Sequence, residues 1–409
     1  MTTLSLSGAR RAPRITAPLV IAGLIANLVI AHLAYGEKAR VFFGRQDWMA
    51  DFVKHVMSFP GTPLAQSIFP GFIGALQHEI EEYSGKFGHF HNMPETVLLT
   101  LGIRPLFGLF DPFAIYGVIA ILFTATWCFF VLRYAEPESR PLALGLAIFN
   151  YPFLFMLERG NMFAGITAVC ILVMLCRRKL DWGAVILMAV AANIRPNVAV
   201  LVLPLLAWDR QSLIFLVRTA AVGAGLGLAC LAIDGMIYPA YDVSSLLRGL
   251  LLYKMGYVLG PLGQEFVSSL WGALRHVLPN TDGMVTLLTV IGLIPLVFAW
   301  FARDRLSYPA ACFLVIAGCM LSTAVLSDYH LVIFVVPLLL LQRDDPAFWP
   351  ILLGVCWLLI PKNYNASDVL SWQIYLNPAG MVLASLATAW AYRAKMSPRS
   401  DPGPVAAQS

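Results

Sequence analysis

Twelve apolar stretches, closed by charge, proline or turn residues, succeed one another along this chain of 409 residues. They lie near Ile15–Tyr35, Pro112–Leu132, Pro141–Leu157, Met162–Cys176, Trp182–Ile194, Asn197–Trp208, Leu213–Ile233, Met284–Phe301, Tyr308–Val325, Leu331–Leu341, Trp349–Ile360 and Gly380–Tyr392. A helix that crosses a bilayer needs about 20 mostly apolar residues and tolerates about 17 to 25. Stretches this many and this regular are not the buried core helices of a water-soluble domain. They predict an all-α polytopic membrane protein of about twelve transmembrane helices. Several stretches are short, and tilt, re-entrance or half-span geometry is expected there. Charge agrees with this reading: 12% of the residues are Asp, Glu, Lys or Arg and 59% are hydrophobic, where a soluble domain carries roughly 25% charge. Soluble enzymes, nucleic-acid binders and disordered regulators are thereby excluded, and no nucleic-acid partner is expected.

The remaining charges report topology. Arg10, Arg11 and Arg14 precede the first stretch, and the positive-inside rule keeps them in the cytoplasm. No A-x-A cleavage site follows that stretch, so it is read as a span and not as a signal peptide. Alternating from there puts 133–140, 177–179, 209–218, 303–305, 343–345 and the C-terminus inside, and 36–111, 158–161, 234–283, 326–330 and 361–379 outside. With Asp181 counted inside and Arg195 outside, the inner side then holds 16 Lys and Arg against 8 Asp and Glu and the outer side 12 against 15, which together return the chain's 28 and 23. The inner face is basic although its loops are shorter. The stretch 182–208 is interrupted by Arg195 and Pro196; proline lacks a backbone donor and clashes with the preceding turn, so two short spans are preferred to one kinked helix, which would throw the basic C-terminus outside.

The domain organisation that follows is a cytoplasmic N-terminus (1–14), one transmembrane domain (15–394) and a disordered cytoplasmic tail (395–409). Two large outer loops, about 36–111 and 234–283, carry amphipathic pieces with Trp, Phe, Leu and Ile on one side, suited to lying in the membrane interface. All seven cysteines fall inside apolar stretches, so neither a disulfide framework nor a cysteine-held metal is expected.

Chemistry is sought among the outer polar residues. In GRQDWMADFVKHV, Asp47 and Asp51 stand four residues apart, on one face of a helix. Two like charges so spaced oppose each other's ionisation, and the more buried becomes suited to general-base work; alternatively they solvate a helix N-terminus or pair with Arg45 and Lys54. The segment LERGNM places Glu158, Arg159 and Asn161 between two apolar stretches. Gly and Asn serve turns for backbone reasons, while Glu and Arg at a bundle mouth line a cavity or pair together. In ANIRPNVAV, Arg195 stands at a helix break, a feature tolerated at membrane depth where it faces protein or water, and its guanidinium suits phosphate. SDYHL offers Asp328 and His330, the histidine either a phosphate donor or an interfacial residue. Arg248, Lys254, Arg275 and Lys362 touch either phosphate or anionic headgroups. His89 and His91, with Glu79, Glu81 and Glu82 upstream, are too loosely spaced for a metal site.

Taken in order, DWMADF after the first span, NYPFLFMLERGNMFAGITAVCILVMLCRRK, AANIRPNVAVLVLPLL and the late SDYHLVIFVVPLLLL resemble the multi-spanning GT-C glycosyltransferases, most closely glycosyltransferase family 87. Known members are polyprenol-phosphate-mannose-dependent α-1,2-mannosyltransferases of the outer membrane face. The resemblance is carried from the first span to about residue 210, and beyond that by hydropathy and the late motif. It implies a GT-C-type fold in a bacterial inner (plasma) membrane, with the active site on the periplasmic side. It implies transfer of a sugar, mannose by family default, from a polyprenyl-phosphate donor to a hydroxyl of a lipid or glycan acceptor, with inversion. Asp51 matches the family's first-loop base, with Asp47 in reserve. Arg195 stands where the family usually has lysine, and SFPGTPLAQSIFPGF replaces its tyrosine- and proline-rich stretch. The donor phosphate would fall to Arg195, His330, Arg159, Lys254 and Lys362, and the substrates also to Glu158, Asn161 and Asp328. No cofactor is expected, and no metal, since the leaving group carries a single phosphate. The rival readings are a multi-span transporter, for which no internal repeat is visible, and a flippase of a lipid-linked sugar.

Overall fold

The computed structural model describes residues 12–35, 50–52, 102–103, 105–106, 109–195, 210–237, 242–260, 267–362, 364 and 370–393. Its helices are α1 (Ala12–Tyr35), α2 (Pro112–Tyr134), α3 (Arg140–Ile148), α4 (Tyr151–Arg159), α5 (Met162–Arg177), α6 (Trp182–Ile194), α7 (Arg210–Ile237) and α8 (Val243–Tyr253). They continue with α9 (Leu270–Leu274), α10 (Asp282–Gly292), α11 (Ile294–Phe301), α12 (Tyr308–Ser322), a 3-10 helix at Asp328–Phe334, α13 (Val335–Leu340), α14 (Phe348–Leu359) and α15 (Gln373–Ala391). Among the described residues there is no strand, only an isolated bridge between Val267 and Ser327.

The few polar residues between apolar stretches start these helices. Asp111, Asn150, Asn161, Asp181, Ser269, Thr281 and Ser307 each accept a backbone N–H of the following first turn, satisfying donors that the helix itself leaves free. Asn150 explains a departure from the sequence reading. The single stretch Pro141–Leu157 is two helices, α3 and α4, bent by 47°. Asn150 Oδ1 accepts from Phe153 N at 2.9 Å while its Nδ2 donates to the carbonyls of Leu146 and Ala147. One side chain thus closes α3 and opens α4.

Five helical segments are long and apolar enough to cross a membrane, or six if the bent α3–α4 pair counts as one span. They are Ala12–Ile30, Pro112–Tyr134, Leu213–Met236, Asp282–Phe301 and Gln373–Ala391. The remaining apolar stretches within the described residues form shorter helices. At about 1.5 Å per residue, the 13 residues of α6 reach only about 20 Å. The first half of 182–208 does end where expected, at Ile194 with Arg195 as its cap, while Asn197–Trp208 lies outside the described residues.

Burial explains why short helices suffice. In α12 every residue from Pro309 to Leu321 is buried, and it packs against α11 and α15. The long helices behave oppositely: Val118, Ile121, Leu122 and Phe129 of α2, Leu213, Val217 and Leu228 of α7, and Leu383, Leu386 and Trp390 of α15 are exposed. Apolar patches of this extent are costly in water and ordinary against lipid. Helix α14 approaches α15 closely at Gly354, where a Cβ would lie 2.4 Å from that of Ala384; small residues at such contacts let backbones meet.

Contacts sort the loops into two ends. At one, Arg14 pairs with Glu138, the Arg178 guanidinium lies 3.9 Å from the Tyr308 ring centroid, and Asp345 takes hydrogen bonds from Ser307 and from Tyr392 (2.9 Å). All of these border segments that charge assigns to the inside. At the other end meet Asp51, Arg159, Asn161, Tyr329, Ser268 and Gln373, from segments assigned outside. The second large outer segment contributes α8, whose exposed Val243, Leu247 and Leu251 repeat every four residues along one side, as an interfacial helix requires.

Candidate active site

The first candidate residue is positioned by a backbone turn. Helix α4 ends at Gly160, which adopts φ +70°, the left-handed conformation glycine closes helices with. Its N–H bonds to the Leu157 carbonyl at 3.2 Å and that of Asn161 to the Met156 carbonyl at 3.1 Å. The short turn Ala50–Phe52 rests directly on this corner: a Cβ at Gly160 would lie 2.7 Å from Phe52 Cβ, and the Phe52 ring packs on Tyr116 with centroids 5.2 Å apart.

Asp51 is thereby buried against the α4–α5 junction, 6% exposed. Arg159 Nη2 donates to Oδ1 at 2.9 Å and Asn161 Nδ2 to Oδ2 at 2.8 Å. Asn161 has a further duty. Its Oδ1 accepts from Ala164 N at 2.9 Å as the N-cap of α5, and its Nδ2 also donates to the Tyr329 hydroxyl at 2.8 Å. Tyr329 packs on Phe155 (5.9 Å) and on the next ring, His330 (4.6 Å). The charges of Arg195 and Asp51 both act on His330 and on Tyr329, and Arg195 Nε is buried with no partner among the described residues.

His330 lies just before the stretch that opens at Leu331. Its Nδ1 is 2.9 Å from the Ser327 carbonyl, and because a carbonyl only accepts, Nδ1 carries the proton. Burial, reinforced by Arg195, pushes the imidazole down to about 3. It is therefore neutral, with a lone pair on Nε2, so it accepts a hydrogen bond and does not donate to phosphate from that atom. Glu158 is buried in the last turn of α4, not in the turn itself, and its charge acts on Tyr116 and Tyr151.

A second network adjoins the first through the backbone of 328–330. The carboxylate of Asp328, fully buried, accepts from Ser268 Oγ, Gln373 Nε2, Tyr151 OH (3.3 Å) and Asn377 Nδ2 (3.4 Å). Burial pushes this carboxyl up to about 6 against those donors and against Lys362. Lys362 Nζ donates to the carbonyls of Trp357 and of Ile360 (2.7 Å) at the end of α14, and burial pulls its ammonium down to about 7. Asp328 and Lys362 are thus occupied with each other's surroundings and with helix ends.

Of the residues singled out in the sequence, Asp51, Arg159, Asn161, Arg195 and His330 come together. Asp328 and Lys362 form the neighbouring network. Lys254 stands apart, paired with Asp282 at 2.8 Å on an exposed surface, and Arg275 donates to the carbonyls of Tyr257 (3.1 Å) and Gly260. Asp47, His89 and His91 lie outside the described residues, as does the side chain of Arg248. Sequence reasoning passed over Tyr329, Tyr151, Ser268, Gln373 and Asn377. The last two carried a signal, amides at i and i+4 in a helix otherwise apolar, where polar groups face the protein interior. Among the described residues, no three His, Cys, Asp or Glu side chains gather where a metal ion would sit. Comparison with protein-family models, with curated proteins and with solved structures yields no match.

Proposed function

We propose that this chain is a membrane glycosyltransferase of the GT-C type, with about twelve spans, which moves a sugar from a polyprenyl-phosphate donor to a hydroxyl of a lipid or glycan acceptor. The observation that carries the reading is the convergence of Asp51, Arg159, Asn161, Tyr329, His330 and Arg195 at one end of the bundle, beside lipid-facing helices. In this reading that end is the periplasmic face of a bacterial inner membrane, and mannose is the default sugar.

The acceptor oxygen attacks the anomeric carbon as the bond from that carbon to the phosphate oxygen breaks, and the configuration inverts. Asp51 takes the acceptor proton, a carboxylate offering about four acceptor sites to the donors around it. The leaving polyprenyl phosphate gains a negative charge as it departs, and a cation fixed beside it binds the transition state more strongly than the ground state. Arg195 supplies that charge. The apolar tail lies against the exposed faces of the long helices and α8.

Incubating purified protein with a polyprenyl-phosphate sugar and extracted membrane acceptors tests this. Asp51→Asn keeps the hydrogen-bonding shape and should lower transfer by at least about 100-fold, the usual contribution of a general base. Transfer unchanged in Asp51→Asn removes the base assignment, and translocation of the lipid without any transfer replaces the enzyme by a flippase.

A further inference from the structure

We propose that Tyr329 is a phosphate ligand of this site, its hydroxyl donating to an oxygen of the same phosphate that Arg195 neutralises. The proposal rests on the reading above that a lipid phosphate enters beside Asp51. Asn161 sets the geometry. Because its Oδ1 is committed to Ala164 N, its amide has one orientation, and Nδ2 must face both Asp51 and the phenol oxygen, each at 2.8 Å. The Tyr329 oxygen is therefore an acceptor toward Asn161, and its single hydrogen is directed elsewhere.

No carboxylate or carbonyl among the described residues takes that hydrogen. The Asp51 oxygens are turned toward Arg159 and Asn161. Ser327 is the other polar neighbour, and its hydroxyl rotates to give as readily as to take. The ring itself is held between Phe155 and His330, so the hydroxyl has a fixed place in a residue that is only 7% exposed. Arg195 adds a second donor without an acceptor among the described residues, its Nε being buried and unpaired there. Buried donors are costly unless satisfied. An oxyanion satisfies a guanidinium and a phenol at once, and neutral His330 adjoins them without a competing charge. A phosphate oxygen is the oxyanion that a lipid-linked sugar would bring.

The test compares binding of farnesyl phosphate, farnesol and inorganic phosphate to the purified full chain. Tyr329→Phe keeps both ring contacts and removes only the hydroxyl. Its preference for farnesyl phosphate over farnesol should fall about tenfold, the size expected for a hydrogen bond to a charged group, while farnesol binds as before. The preference is a ratio within one preparation, so partial unfolding does not imitate the loss. Tyr329→His restores a donor on a flat ring and should recover part of it. Inorganic phosphate that displaces farnesyl phosphate from the parent, and less well from Tyr329→Phe, supports the same assignment for the headgroup alone. A preference unchanged in Tyr329→Phe overturns the role of Tyr329 and leaves the proposed function standing. A parent that binds farnesyl phosphate no better than farnesol overturns both.

Discussion

Asp328 and Lys362 show how burial weakens the charged form of an ionisable residue. The carboxyl of Asp328 rises from 3.8 to about 6 because desolvation outweighs the donors Ser268, Tyr151 and Asn377 and the charge of Lys362, and the amine of Lys362 falls from 10.5 to about 7 because desolvation outweighs the charge of Asp328. A carboxyl whose value is higher folded than unfolded contributes stability below pH 3.8 and loses it as pH rises through about 6; the lysine contributes above 10.5 and loses it as pH falls through about 7. Asp328→Asn should therefore abolish part of the gain in thermal stability that the parent shows on acidification from about pH 6 to 4. Melting curves of both proteins across that window check it, and superimposable pH dependences would show that Asp328 does not bear the burial cost. Asp328→Leu goes further, removing the acceptor that Ser268, Tyr151, Gln373 and Asn377 share, although Gln373 still donates to the Tyr151 hydroxyl at 2.7 Å and Asn377 to Ser268 Oγ at 2.9 Å. Its loss is expected to be about 2 kcal/mol or more, given about 1.5–3 kcal/mol for a hydrogen bond to a charged group. At this scale the sequence was informative about charge and silent about partners. Asp51, Arg159, Asn161, Arg195 and His330 were legible because an ionisable or amide side chain at the end of an apolar stretch has few places to go. Lys254 and Lys362 carry the same charge as Arg195, yet one meets Asp282 and the other the carbonyls of α14, choices made by packing that no local pattern encodes. Tyr329 was hidden because a tyrosine at the head of an apolar stretch reads as membrane-interface filler.

The α4–α5 corner is the element on which the site depends. Gly160 turns the chain with positive φ, and Phe52 occupies the space a side chain would need. Gly160→Ala meets both obstacles. The left-handed conformation costs about 1–2 kcal/mol for an L side chain, and relieving the contact pushes Phe52, and with it Asp51, off the corner. Transfer by Gly160→Ala should fall more steeply than its thermal stability, and equal losses in both would mean that the corner supports the fold but not the position of Asp51. The sequence announced this turn through Gly and Asn. It placed Glu158 and Arg159 in the turn, whereas both complete the last turn of α4, which is how a helix end aims an arginine at a carboxylate. The bend between α3 and α4 was also written in the chain, as Asn150 followed by Pro152, but unbroken hydropathy over Pro141–Leu157 masks a cap that works inside an apolar stretch. The short stretches also differ in packing in a way that hydropathy does not encode: α12 is buried from Pro309 to Leu321, whereas α6 leaves Ile186 exposed and α14 leaves Trp349 and Leu353 exposed.

At the scale of the whole molecule, the alternation of ends derived from charge and the contacts observed in the fold are independent of each other, and they agree on which segments share an end. Charge placed Arg14 with 133–140, and Arg14 pairs with Glu138. It placed 303–305 with 343–345 and the C-terminus, and Ser307, Asp345 and Tyr392 form one cluster. It placed 36–111 with 158–161 and 326–330, and Asp51, Asn161 and Tyr329 meet. Which end faces the cytoplasm follows from the excess of Lys and Arg alone, and it has a direct check. Lys254 and Arg303 are half-exposed at opposite ends. All seven native cysteines lie in apolar stretches, five buried and two partly so, which keeps labelling by a membrane-impermeant maleimide low in the parent. In right-side-out vesicles Lys254→Cys should be labelled at once and Arg303→Cys only after permeabilisation. The opposite pattern would invert the protein and put the Asp51 cluster on the cytoplasmic face, where a periplasmic acceptor is out of reach; labelling of both from the same side would break the alternation itself.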